Sequence, residues 1–253
     1  SRPNATPLNI TSGSAPTLGY LVGVLVGDHV RSRAGKGLHV KDREFAEYYA
    51  RTYEEVTGVR PEVHSTDDGY YCTYENAGCP KRLWYSGLWR VVAYAYPIEF
   101  LRGLYDSEGS VSPQIDNRRR ALSSVTVSLA TGDREVKDLA KALLRELGLE
   151  PSECYRPPEI RVADNKVYKF AGYWVLYLHG WSRLERFATI VGFREGKRRR
   201  RLEFLLRLRR LPPRQRYEEW TRRYEKRNGR WVERGPKPRR ALSGALLNQS
   251  NPI

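Results

Sequence analysis

"LGYLVGVLVGDHV" occupies residues 18–30, and "FLRGLYDSEGSV" occupies residues 100–111. Each is a short apolar run broken by glycine, and each ends in a carboxylate, Asp28 or Glu108, beside a turn position. In the first run Gly19, Gly23 and Gly27 fall at i, i+4 and i+8, a stripe without side chains on one helix face. In the second, Gly103 and Ser107 are again four apart. A glycine inside a helix costs up to about 1 kcal/mol relative to alanine, so several in one helix need an offsetting gain. Close approach of a second backbone supplies it, as small residues do at tight helix crossings. The pattern predicts two parallel helices packed through these glycines, with Asp28 and Glu108 brought together at their C-terminal ends.

The segments downstream of the two runs repeat as well. After the first come a hairpin with a glycine turn over 30–41, a helix "DREFAEYYARTYEEVTG" with an acidic start and Gly58 at its end, a hairpin with an Asp-Asp-Gly turn, and a short helix stopped by Pro97. After the second come a hairpin over 110–130, a helix "DREVKDLAKALLRELG" ending at Gly148, a hairpin over 158–180, and a helix over 182–192. "DREF" at 42–45 and "DREV" at 133–136 open equivalent helices. Each half therefore reads αββαββα.

With two such runs in matching surroundings, the chain resembles a single-chain LAGLIDADG homing endonuclease over roughly residues 17–193. The resemblance implies an α+β fold of two pseudo-symmetric halves. Their signature helices would form the interface, and saddle-shaped antiparallel sheets would face DNA. The expected organisation is a flexible segment at 1–15, a first half at 16–96, a second half at 97–193, a basic helical extension at 194–234 and a flexible tail at 235–253. The resemblance makes Asp28 and Glu108 the metal-binding catalytic acids of a site-specific double-strand DNA endonuclease, with Mg²⁺ or another divalent ion such as Mn²⁺ or Ca²⁺. It further suggests a monomeric, intron-encoded enzyme. The alternative is a nucleic-acid binder of the same fold without cleavage, an RNA maturase or a transcription factor.

Electrostatics supports the metal reading independently. Two carboxylates a few ångströms apart repel by about 3 kcal/mol at an effective dielectric near 20. Each would also sit at the negative end of its helix dipole. A cation between them removes both penalties, and an all-oxygen donor set favours a hard ion such as Mg²⁺.

Two departures from the family pattern stand out. His29 follows Asp28 where the family has glycine; it reads as a surface histidine or as a residue reaching the metal or a phosphate. Lys41 matches a basic position that the family places near the active site, and its counterpart in the second half is Gly132. A solvated lysine at a helix start is the competing reading.

Alternation along the strands marks the polar faces expected to meet DNA: Arg31 and Arg33; His39, Glu62, His64 and Thr66; Ser124, Thr126 and Ser128; Arg161; Tyr173 and Tyr177. The arginine triplet Arg118, Arg119 and Arg120 adds phosphate-binding charge.

The chain carries 45 basic and 29 acidic residues, a net +16 over 253 residues, which suits a polyanionic partner. Residues 194–240 hold 20 basic and 6 acidic side chains, so +14 of the +16 lies there. Its run Arg198, Arg199 and Arg200 is expected to contact phosphates. Leu205, Trp220 and Tyr224 are expected to dock on the protein, with an amphipathic helix running to the Asn-Gly at 228–229. No segment approaches the ~18 apolar residues of a membrane span, and no basic region precedes residues 18–26, so neither a membrane anchor nor a signal peptide is expected. An intracellular location is expected, in the cytoplasm of a prokaryote. The Arg-rich, Met-free composition hints at a thermophilic archaeon. Cys72, Cys79 and Cys154 read as inert thiols, although Cys72 and Cys79 could close a small loop.

Overall fold

The computed structural model describes residues 14–28, 36–74, 83, 85–163, 166–227 and 229–234. Helix α1 (Ala15–Asp28) leads into β1 (Lys36–Val40), α2 (Arg43–Thr57), β2 (Glu62–Ser65), β3 (Tyr71–Tyr74) and α3 (Trp89–Ala95). The second series is α4 (Pro97–Glu108), β4 (Gly109–Asp116), β5 (Ala121–Thr131), α5 (Arg134–Glu146), β6 (Ser152–Arg156), β7 (Glu159–Ala163), β8 (Lys166–Phe170), β9 (Tyr173–His179) and α6 (Trp181–Ile190). The chain continues through α7 (Gly196–Leu208), α8 (Pro213–Arg223), β10 (Tyr224–Arg227) and β11 (Arg230–Glu233).

The two halves repeat in detail. The first sheet runs β1-β3-β2, and the second runs β4-β5-β9-β6, so the order β5-β9-β6 reproduces the first sheet strand for strand. All pairings are antiparallel. Both second helices open on an aspartate cap. Asp42 accepts the Phe45 N–H at 3.1 Å, and Asp133 accepts the Glu135 N–H at 2.8 Å. Each cap satisfies an orphan donor of the first helical turn. The strand that would pair with β1 to complete the first expected hairpin lies outside the described residues, as do Arg31 and Arg33.

The core forms where the two signature helices meet the apolar sheet faces. Leu21, Val24, Leu101 and Leu104 are fully enclosed, as are Val125, Val127 and Leu129 on one side of β5. The second helices are amphipathic and close over it with Tyr49 and Val56 from α2 and Leu143 and Leu144 from α5.

Three expectations need correction. First, α1 starts at Ala15, and Ser14 and Ala15 are buried, so the last residues of the segment expected to be flexible belong to the fold. Second, the hairpin expected over 158–180 begins earlier, at β6, and is broken midway. Arg156 pairs with Tyr173, and Glu159 pairs with Phe170 in the same register. Between them stand Pro157 and Pro158, which have no N–H to continue the ladder. The strands therefore divide into a part inside the sheet and a separate β7–β8 ribbon. Third, the helix expected to run to Asn-Gly stops at Arg223. Tyr224–Arg227 instead forms β10 and pairs with β11, with Gly229 at φ +77° in the connecting turn. The apolar groups Trp220, Tyr224 and Trp231 decide this, because the hairpin folds them onto one another. Trp220 and Tyr224 stack at 4.1 Å, and Trp231 meets Trp220 edge-on at 5.8 Å.

Candidate active site

The glycine stripe does what its spacing predicted. A Cβ placed on Gly23 would lie 2.1 Å from the Phe100 carbonyl oxygen, and one on Gly103 would lie 2.1 Å from that of Tyr20. A Cβ on Gly19 would meet the Tyr96 Cβ at 2.7 Å. The α1 and α4 backbones are thus in reciprocal contact at the crossing, which no side chain would permit.

That contact continues to the helix ends. At Gly27 a Cβ would fall 1.9 Å from the Ser107 Oγ and 3.0 Å from the Glu108 Cγ. The last turn of α1, which ends at Asp28, is therefore pressed against the last turn of α4, which ends at the half-buried Glu108. The Asp28 side chain itself lies outside the described residues, as does His29. Among the described residues no group of three or more His, Cys, Asp or Glu gathers to hold an ion. An ion held between the two acids would draw its remaining ligands from water or from the bound partner, as hard cations commonly do.

A cleft of about 420 Å³ opens beside this junction, lined in part by His39, Lys41, Tyr70, Ser107, Lys197 and Arg198. Lys41 immediately follows β1 and precedes the Asp42 cap, and its ammonium lies 4.9 Å from the Tyr70 ring centre. His39 stacks on the same ring at 4.5 Å. Lys197 reaches into this region from the basic extension and bonds Asp42 at 2.7 Å. Burial would raise the Asp42 carboxyl, but the Lys197 hydrogen bond and the Phe45 N–H outweigh it and hold the group below its ordinary value. The Gly132 position, the counterpart of Lys41 in the pseudo-symmetry, is open, with nothing within 4 Å of where a Cβ would stand.

Asp106 was not singled out in the sequence, and it is fully buried two residues before the acid. Its carboxylate accepts the Tyr20 hydroxyl at 2.8 Å and the Arg194 backbone N–H at 3.0 Å. It thereby ties the opposite signature helix and the start of the extension to α4. Burial pushes its carboxyl up to about 6, against the opposing hydrogen bonds from the Glu195 N–H, Tyr20 and the Arg194 N–H. The signal was present: an acid inside an apolar helical run, which is rarely enclosed without partners.

The polar sheet face also assembles. Register places Ser128 opposite both Ser110 and Tyr177, and Thr126 opposite both Ser112 and His179. Gln114 donates to the Thr126 hydroxyl at 2.7 Å, and the Ser110 and Ser128 hydroxyls pair at 2.8 Å. Arg156 donates to the Tyr177 hydroxyl at 3.4 Å, and Tyr173 pairs with Arg156 across the strands. In the first half His39 and His64 both face Cys72 across the ladder, and His64 contacts Glu62 at 3.0 Å. Thr66 is held in the turn, accepting the Tyr70 N–H at 3.2 Å. Arg118, Arg119 and Arg120 form the exposed β4–β5 turn, where Asp116 accepts the N–H groups of Arg118 and Arg119. Arg161 is in β7, with its side chain outside the described residues. Cys72 is buried on β3, and Cys79 lies outside the described residues.

The extension packs on the apolar side. Leu202, Leu205, Leu208, Trp220 and Tyr224 are buried in the common core with Leu122 and Val125. Of the arginines expected at phosphates, Arg199 is exposed and Arg200 lies 3.6 Å from Glu44. Arg198 is turned inward. Among the described residues no helix is long and apolar enough to cross a membrane.

Two halves of one α+β plan, joined through glycine-lined helices whose acid-bearing ends meet, define a pseudo-symmetric protein. Residues 95–192 match the model of a LAGLIDADG-like domain. The matched stretch is the second half of the chain, and α1 occupies in the first half the place that α4 occupies in the second. An uncharacterized protein of Methanocaldococcus jannaschii is 24% identical over 214 residues, spanning 76% of this chain and 72% of its own. The homing endonuclease I-DmoI in complex with DNA and Ca is similar at a TM-score of 0.47 and 15% identity, over 75% of this chain and 98% of its own. Full-length DUF199/WhiA from Thermatoga maritima is similar at a TM-score of 0.47 and 12% identity, over 80% of this chain and 64% of its own.

Proposed function

We propose that this protein is a metal-dependent, site-specific endonuclease that cuts both strands of a double-stranded DNA target. One observation carries the reading: the glycine contacts press the ends of α1 and α4 together, so that Glu108 and the position of Asp28 share one junction. Two acids at two negative helix ends form an unfavourable pair unless a cation is held there. Asp28 and Glu108 would hold it, and their all-oxygen chemistry fits Mg²⁺, Mn²⁺ or Ca²⁺. The bound ion would supply charge neutralisation at the scissile phosphate and an activated water.

The chain's own groups do the rest. Glu108 orients what binds at the junction. Lys41, steadied over Tyr70, offers a cation to a phosphate in the adjoining cleft. The hydroxyl, amide and aromatic groups of β4, β5 and β9 supply donors and acceptors for base edges in a major groove. Exposed arginines such as those at 118–120 supply phosphate contacts that position the duplex without reading it. The protein would act as a monomer, since both halves of the site lie on one chain.

The test is cleavage-site selection from a randomised duplex library in Mg²⁺, followed by Asp28→Asn and Glu108→Gln. Both variants should lose double-strand cleavage of the selected duplex and keep binding it in Ca²⁺ within a few-fold. Either variant cutting both strands at the wild-type rate would overturn the assignment of the acids. Recovery of a bound sequence that wild-type protein never cuts would favour a nucleic-acid binder of the same fold.

A further inference from the structure

Helix α4 ends at the acid Glu108, and the last carbonyls of any helix have no partner within it. Here one side chain from outside the two halves takes two of them, together with the first carbonyl of β4. Arg198, in the first turn of α7, donates from Nε to the Gly109 carbonyl at 2.7 Å, from Nη1 to that of Asp106 at 2.5 Å and from Nη2 to that of Ser107 at 3.0 Å. The three acceptors surround Glu108 in sequence on both sides. The guanidinium is itself anchored: Glu195 lies 3.6 Å from it, is almost fully buried, and accepts the Lys197 and Arg198 N–H groups as the cap of α7. Asp106 holds the approach to that cap through the Arg194 N–H.

We propose that Arg198 is a positioning residue for Glu108, so that the basic extension completes the cleavage site rather than only adding charge to it. The inference rests on the nuclease reading above. A planar guanidinium with donors in fixed directions can bridge three carbonyls at once, whereas an ammonium is a point charge. Its cation also offsets the negative end of α4, on which Glu108 stands. The Arg198 guanidinium is committed to these carbonyls, so it acts on Glu108 through the backbone that carries the acid.

The experiment compares Arg198→Ala, Arg198→Lys and Glu203→Ala in the full chain, on the duplex recovered by selection. Single-turnover cleavage in Mg²⁺ is measured well below each variant's Tm, binding in Ca²⁺, and amide hydrogen exchange over residues 107–110 without metal or DNA. Loss of an acid's alignment should slow the Arg198→Ala cleavage step by roughly tenfold or more. Binding should stay within twofold, exchange at 107–110 should quicken, Arg198→Lys should recover only part of the rate, and Glu203→Ala, at an exposed position of the same helix, should match wild type. A purely structural role would lower Tm and leave the single-turnover rate of folded protein unchanged, which would overturn the proposal. Equal losses in binding and cleavage would overturn it too, by making Arg198 a phosphate contact. If Arg198→Ala does not fold, full activity in Arg198→Lys overturns the three-carbonyl cap as the cause. If wild-type protein cuts nothing, the nuclease reading fails by itself. The exchange measurement then still decides whether Arg198 orders the end of α4: unchanged exchange at 107–110 overturns the cap.

Discussion

Replacing Gly23 by alanine adds one methyl group at the crossing of α1 and α4. That methyl would sit 2.1 Å from the Phe100 carbonyl oxygen and 3.0 Å from the Leu104 nitrogen. Close carbon–oxygen contacts between backbones run at about 3.3 Å, so the helices must part by about 1.2 Å at this point. Both partners are backbone atoms, and no rotamer change relieves the clash. Overpacking of this kind costs about 1–3 kcal/mol, and the loosened contacts along both helices push the loss toward the upper end. Gly103 faces the Tyr20 carbonyl at the same crossing, so Gly103→Ala should cost a similar amount. The double variant should cost clearly less than the two singles together, because one separation of the helices accommodates both methyls. Denaturant unfolding of the four proteins measures this directly. Gly132→Ala is the control: open space surrounds that position, and the change should be neutral or stabilise by up to about 1 kcal/mol. Cleavage should fall further than stability in the folded Gly23→Ala protein, since a shift of about 1 Å at catalytic groups can cost about a hundredfold. A Gly23→Ala protein with wild-type stability, or strict additivity in the double variant, would refute the reciprocal backbone contact.

Trp220 is fully buried against Phe204, Tyr224 and Trp231, so Trp220→Ala should cost about 3–5 kcal/mol in unfolding free energy. Its indole N–H has no hydrogen-bond partner among the described residues, so Trp220→Phe should be much milder; equal losses would count against the extension as an apolar cap. Asp106 supplies a pH test. Its folded carboxyl titrates at about 6, above the ordinary value of 3.8, because burial disfavours the charge. The folded state therefore holds a proton that the unfolded chain releases between these values. This contribution, up to roughly 3 kcal/mol, is complete below about pH 4 and lost as the pH rises through about 6. Asp106→Asn should flatten the stability profile across that window, and a parallel profile would place the titration elsewhere.

The sequence by itself determined the pairing of the two halves. Glycines at four-residue spacing cannot be accounted for by helix propensity, and the same order of strands and helices comes after both runs. The aspartate caps at 42 and 133, the Asp-Asp-Gly turn and the apolar side of β5 were likewise local, set by hydrogen-bonding geometry within a few residues or by a period of two. Asp28 and Glu108 stood out in the sequence because carboxylates at two converging helix ends have few structural uses, and their metal-binding role is a proposal. Tertiary structure decided the rest, because those choices depend on groups far apart in the chain. Pro157 and Pro158 split a hairpin whose register nonetheless continues past them. The chain after Arg223 turned back as a strand, which brings Trp231 against the buried Trp220–Tyr224 stack. Arg198 sits in a run of four arginines that looks uniform in sequence. Only the packing of α7 against the end of α4, about ninety residues earlier, turns this one inward to three carbonyls beside Glu108 while its neighbour Arg199 stays in solvent.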